Sequence, residues 1–180
     1  MLITKIKSWF ISLQISISRA IDHSYRLLTG LPTAKRSMIT PEIYLGGQFF
    51  KPGIATLQKL GVTGIVSMRS SIMQFPIEMK NFHTLHLPTT DLTAPSTENL
   101  LLGIEFIKKE IDNKGKVYVH CRAGEGRGPT MVLSYLMSKG LTLKDALDQV
   151  QKVRPFARPT PPQMVKLKEI EEYFKNNKTA

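Results

Sequence analysis

From Pro41 onward, short β-branched or apolar runs alternate with stretches whose apolar residues fall three or four apart. Ile43–Leu45, Gly64–Met68, His83–Leu87 and Val117–His120 are brief and bounded by Gly, Pro or polar residues, which predicts strands. Ser96 or Thr97 is placed to cap a helix with Leu100, Ile104, Ile107 and Ile111 on one face. Residues 129–138 are apolar on most sides, as in a central buried helix. Thr142 and Asp145 have the spacing of a capping box ahead of Ala146, Leu147 and Val150. Thr160-Pro161 opens a last helix with Met164, Leu167, Ile170 and Phe174 inward. Strands alternating with helices predict an α/β layer structure.

The first 36 residues follow a different pattern. Ile3, Ile6, Phe10, Leu13, Ile17, Ala20 and Leu27 form one helical stripe, although residues 11–18 also alternate apolar and polar with period two. Length favours a helix. Gly30-Leu31-Pro32 breaks the pattern, so we expect an N-terminal amphipathic helical segment at 1–36 and the main domain at 37–180. Three readings compete for the segment: a helix packed on the domain, a basic amphipathic helix lying on an acidic membrane surface, and a cleaved mitochondrial presequence.

Composition narrows the classes. With 180 residues and 42% apolar, the chain can form one domain with something left over, and wholesale disorder is excluded. A single cysteine excludes a disulfide framework and a multi-cysteine zinc site, and fits a reducing compartment such as the cytoplasm. His83 and His86 lack carboxylate or Cys partners at ligand spacing, so no metal is implied. The net charge of +11 favours anionic partners: phosphorylated groups, acidic lipids or nucleic acid. Nucleic acid is the weakest of these, because no aromatic-basic platform accompanies the charge.

The chemistry is concentrated in residues 117–130, where a strand-like run ends at His120-Cys121 and leads through Arg122, Ala123, Gly124, Glu125 and Gly126 to Arg127-Gly128-Pro129. A Gly-rich loop entering a helix turns backbone N–H groups toward one point, and the helix dipole adds positive charge there. Such a loop cradles a phosphate dianion. Arg127, six residues after Cys121, can close it with a bidentate contact. The same field favours a Cys121 thiolate, placing a nucleophile beneath the phosphorus. His120 either orders the loop or is a satisfied polar residue at a strand end.

These residues resemble the signature His-Cys-x5-Arg of the cysteine-dependent phosphatases, and more narrowly their dual-specificity branch with its small atypical members. The resemblance covers most of residues 41–175. Ile43-Tyr44-Leu45-Gly46-Gly47 is similar to that branch's opening strand, and Leu60 to Val66 to its next helix-to-strand passage. Val153-Arg154-Pro155 through Pro159-Thr160-Pro161 resembles the approach to its closing helix. The resemblance implies a central mixed β-sheet flanked by helices and a phosphocysteine intermediate, with no cofactor. It also implies a general acid about thirty residues before the Cys, a position held by Asp91. An alkoxide or phenolate leaves poorly unless protonated as its P–O bond breaks.

Phosphotyrosine and phosphoserine/threonine proteins are the substrates the resemblance implies. A phospholipid head group is the alternative, motivated by the charge and the N-terminal segment, and a phosphate-binding module without turnover is a third. Two departures matter. Gly128 stands where the family usually has a Ser or Thr that helps the thiolate leave in the second step, so we expect slow phosphocysteine hydrolysis unless Thr130 supplies the hydroxyl instead. Glu125 puts an acid inside the loop, which either faces solvent beside the phosphate or repels strongly anionic substrates and so argues against polyphosphorylated inositol lipids. Arg122 either guides a charged substrate or pairs with Glu125. Arg69 sits where a strand end could border the cleft, and Arg154 and Arg158 are expected to brace the closing segment.

Overall fold

The structure, a computed structural model, describes residues 2–71 and 79–177, with residues 2–8 described as backbone only. The Ile3 and Ile6 side chains of the predicted stripe therefore lie outside the described ones. The elements run α1 (Leu2–Thr29), a 3-10 turn (Ala34–Arg36), β1 (Ile43–Gly46), α2 (Lys51–Lys59), β2 (Val62–Ser67), β3 (His83–His86), α3 (Thr97–Asp112), β4 (Lys116–His120), α4 (Arg127–Ser138), α5 (Leu143–Val153) and α6 (Pro161–Asn177).

The four strands are ordered β1-β4-β2-β3, and every neighbouring pair is parallel. The antiparallel character implied by a mixed sheet reduces, among the described residues, to one isolated bridge between Met38 and Tyr44. Period-two alternation divides the strand residues between two cores. Ile43, Leu45, Val66, Val117 and Val119 face the larger core with α3, α4, α5 and α6, whereas Tyr44, Val62, Ile65 and Tyr118 face a smaller one with Phe49, Ile54 and Leu57 of the α2 side. Helices on both faces of a parallel sheet explain why β1, β2 and β4 are largely apolar and buried, whereas β3, at the end of the strand order, is polar and more exposed.

The predicted caps form. Ser96, rather than Thr97, accepts from Asn99 N at 3.1 Å, and Thr142 accepts from Asp145 N at 3.1 Å. The central helix is α4, buried from Arg127 through Met137. It carries the loop-closing Arg127 into the core of the domain, so the loop rests on its most immobile element.

α1 docks by an unexpected face. The apolar stripe does not point inward: Phe10, Leu13, Ile17 and Leu27 are all exposed, and the buried positions are Asp22 and Arg26. The physical reason lies in the domain, which presents backbone carbonyls there rather than apolar side chains, and these require donors. No described helix is long and apolar enough to cross a membrane.

Candidate active site

β4 ends at His120, and Cys121 begins the loop that leads into α4. Its thiol is buried and accepts from Gly124 N at 3.3 Å. Gly124 has φ +72°, and a Cβ there would lie 2.4 Å from Gly46 C and O, so only glycine lets the loop press against β1.

The carbonyls of the loop are held on its outer side. Cys121 O is met by His120 Nδ1 at 3.2 Å, and Arg122 O accepts from Gln48 N at 3.0 Å and Arg26 Nη1 at 3.3 Å. Arg154 donates to Ala123 O at 3.0 Å and to Gly124 O at 2.8 Å. Glu125 O accepts from Arg158 N at 2.6 Å, and Gly126 O from Thr130 N at 2.9 Å. With each carbonyl engaged outward, the N–H groups are the side of the peptide plane left for the pocket, which is the polarity an anion requires.

Arg154 is the hub of this outer scaffold. Fully buried, it also donates to Arg36 O at 3.1 Å and to the buried carboxylate of Asp22 at 3.0 Å. Its role is therefore to hold the phosphate loop, beyond the bracing of the closing segment expected from sequence. Asp22 supplies the counter-charge from α1.

On the opposite side, Arg127 donates through Nη1 to Thr89 O at 2.8 Å and through Nη2 to Asp91 Oδ1 at 2.9 Å. Its Nε is buried with no hydrogen-bond partner. Asp91 is 59% exposed and also accepts from Leu92 N at 3.1 Å. Thr160 Oγ1 donates to Leu92 O at 2.9 Å and Gln163 Nε2 to Thr93 O at 2.8 Å, so the start of α6 holds the Asp91 loop against the phosphate loop. Asp91, Cys121, Arg127 and Arg158 thus line one cavity of about 230 Å³.

The sequence profile described as "Dual specificity phosphatase, catalytic domain" matches residues 43–173. The chain belongs to this family.

Two relatives and a solved structure place this dual-specificity phosphatase domain further. It is 34% identical over 122 residues to the phosphatidylglycerophosphate phosphatase PTPMT2 of Arabidopsis thaliana, covering 63% of this chain and 52% of that protein. It is 31% identical over 156 residues to the dual specificity protein phosphatase PHS1 of the same plant, covering 82% of this chain and 16% of the relative. The chain thus spans about half, or less, of the length of these curated relatives. The crystal structure of PTPMT1 in complex with PI(5)P superposes with a TM-score of 0.72 at 27% identity, covering 77% of this chain and 96% of that one.

Several finer expectations for this phosphatase domain are revised. Glu125 pairs with Arg19 at 2.8 Å and His23 at 3.2 Å, both on α1, and not with Arg122. Thr130 Oγ1 donates to Gly126 O at 2.9 Å, so its hydroxyl is committed to the helix and does not replace the one missing at Gly128. Arg69 binds Gln48 and Ser71 and does not line the cavity. His83 Nδ1 lies 2.7 Å from Glu110 and His86 Nε2 lies 2.8 Å from Arg69 O.

His120 Nδ1 meets Cys121 O at the start of the loop, and its ring packs between Phe49 and Tyr118 with ring centroids 5.3 and 5.9 Å away. Burial pushes the imidazole down to about 4. Between the unfolded value of 6.5 and about 4, the unfolded chain binds a proton that the folded chain refuses. Stability therefore falls as pH drops through that window, by up to about 3 kcal/mol. Urea midpoints at pH 7.5, 5.5 and 4.5 should show this slope in the wild type and a shallower one in His120→Asn.

Proposed function

We propose that the protein hydrolyses phosphomonoesters through a phosphocysteine intermediate. The observation that carries the reading is the loop itself: Cys121 Sγ beside the inward N–H of Gly124, with every neighbouring carbonyl tied outward and Arg127 across the cavity. Backbone amides of residues 122–127 bind the phosphoryl oxygens, and Arg127 contributes a guanidinium held in place by Thr89 O. The thiolate attacks phosphorus, the P–O bond to the leaving group breaks, and Asp91 delivers the proton to the departing oxygen. Asp91 then takes a proton from the water that hydrolyses phosphocysteine. Arg127 links the steps. When a phosphoryl group takes its guanidinium, the Asp91 carboxyl is released beside the leaving oxygen.

Phosphotyrosine and phosphoserine/threonine proteins are the principal substrate class, supported by relatives named as protein phosphatases. A phospholipid head group is the second reading. It is favoured by a relative named as a phosphatidylglycerophosphate phosphatase and by the exposed Trp9 and Phe10 on α1, 60% and 53% accessible. The reading divides the chain into a helical segment at 1–36 and a catalytic domain at 37–180. The matched profile begins at residue 43, while Arg19 of the segment lines the cavity and Asp22 pairs with Arg154 behind the loop.

The test is to quench the first turnover in acid and look for phosphate on Cys121 by mass spectrometry. With Gly128 in place the intermediate should accumulate, giving a burst and then slow release. A Cβ at Gly128 would lie 3.7 Å from Cys121 Sγ and 3.1 Å from Leu45 Cδ1, so a serine fits with a small shift and its hydroxyl reaches the sulfur. Gly128→Ser should therefore raise the steady-state rate about 10- to 100-fold, the worth of a hydrogen bond to a charged group, and diminish the burst. Turnover without phosphocysteine would overturn the mechanism.

A further inference from the structure

A second, larger cavity adjoins the catalytic one. It occupies about 530 Å³ between the exposed half of α1 and the segment joining α5 to α6. Arg19, Glu125, Ala157's neighbour Arg158 and no other residues line both cavities, so they form a shared neck. Beyond the neck the lining carries no charged side chain among the described residues: Ile11 and Ile15 on α1, with Ser12 and Ser16, share the groove with Gln151, Pro155, Phe156 and Ala157. The floor is firm: Phe156 and Ala157 are buried, and the Arg154 guanidinium lies 4.4 Å from the Phe156 ring centroid.

We propose that this groove is a leaving-group subsite that takes the apolar chain of an anionic amphiphile while its phosphomonoester occupies the loop beside Cys121. The assignment rests on the phosphatase reading and adds to it where the rest of the substrate lies. A phosphate at Cys121 lies in the cavity that this neck opens from, where Arg19, paired with Glu125, and Arg158 leave a net positive charge that favours the negatively charged end of the molecule. Charge then falls away along the groove in the same order as along an amphiphile. A peptide fits this gradient less well. It brings an N–H and a C=O per residue, whereas the Gln151 amide of the wall already donates to Ala157 O at 3.0 Å, leaving mainly the hydroxyls of Ser12 and Ser16. One wall belongs to α1, which precedes the residues matched by the family profile, so the groove is built from this chain's own extension.

The experiment uses the full chain and a series of ethyl, hexyl and decyl phosphate, each below its micellar concentration. We expect kcat/KM to rise roughly two- to fourfold per methylene. Ile15→Asp should lower the decyl-to-ethyl ratio at least tenfold, whereas Leu28→Asp, on an outward position of α1, should keep it. A flat series, or an equal loss in Leu28→Asp, overturns the subsite. So does a phosphotyrosine peptide whose kcat/KM falls in Ile15→Asp while the alkyl series is unaffected, since the groove would then hold peptide. Calorimetry with Cys121→Ser separates the subsite from the catalytic reading. Decyl phosphate should bind at least tenfold more tightly than ethyl phosphate even without turnover. If the wild type released no phosphate from any ester, the phosphatase reading would fall while this binding comparison still decided the groove.

Discussion

Cys121→Ser should abolish phosphate release, by at least about 10⁴-fold, while leaving phosphate ester binding intact. The variant changes one atom. Sulfur lies buried at the bottom of the cavity and receives the Gly124 N–H at 3.3 Å, and a serine oxygen fits the same space. The cradle is unaffected, because its shape depends on outward carbonyl contacts from Arg26, Arg154, Arg158 and Thr130 rather than on the thiol. What disappears is the sulfur nucleophile, since an alcohol oxygen in its place attacks phosphorus far more weakly. Inorganic phosphate release and equilibrium binding of a phosphomonoester, measured on the same preparation, check both halves. Turnover that survives the substitution would require a different nucleophile and sink the mechanism.

Arg154→Met should cost about 3–5 kcal/mol of stability, the usual result of stranding one member of a buried ion pair. That lowers the melting temperature of a chain this size by roughly 10 °C. Asp22 and Arg154 are both fully inaccessible, so the abandoned carboxylate has no water to turn to. Adding Asp22→Leu should restore much of the stability by removing the stranded charge. It should not restore activity, because Ala123 O, Gly124 O and Arg36 O still lack their donor and the loop is free to turn a carbonyl toward the anion. Scanning calorimetry read beside kcat separates these effects. A double variant with wild-type kcat would mean that Arg154 serves stability alone.

The catalytic loop was legible in the sequence because its chemistry is local. His120 through Arg127 form one unbroken stretch, and the strand and helix around them announce themselves by periodicity. Asp91 was singled out by resemblance of position alone, and nothing in the sequence indicated its contact with Arg127 across the cavity. The scaffold behind the loop was not legible. Asp22 and Arg154 are 132 residues apart, and nothing about a lone acid on a basic helix says which carbonyls its partner will serve. The apolar stripe of α1 gave a wrong docking face for the same reason. Periodicity reports where apolar side chains gather, whereas this surface is held by guanidinium groups that answer unpaired backbone oxygens. Glu125 followed suit: Arg122, three residues before it in the same loop, lost to Arg19 and His23 from a helix more than a hundred residues earlier.

The position of Asp22 also limits how the chain can be shortened. A proteolytic cut ahead of Ser18 spares the Ser18–Arg36, Arg19–Glu125 and Asp22–Arg154 contacts, and leaves the back of the loop as it stands. A cut past His23 removes the counter-ion from Arg154 and leaves its guanidinium with backbone carbonyls alone. Shortening compatible with an intact loop therefore has a boundary within α1: among the described side chains, the α1 contacts that support the loop come from Ser18 onward and residues 9–17 supply none of them.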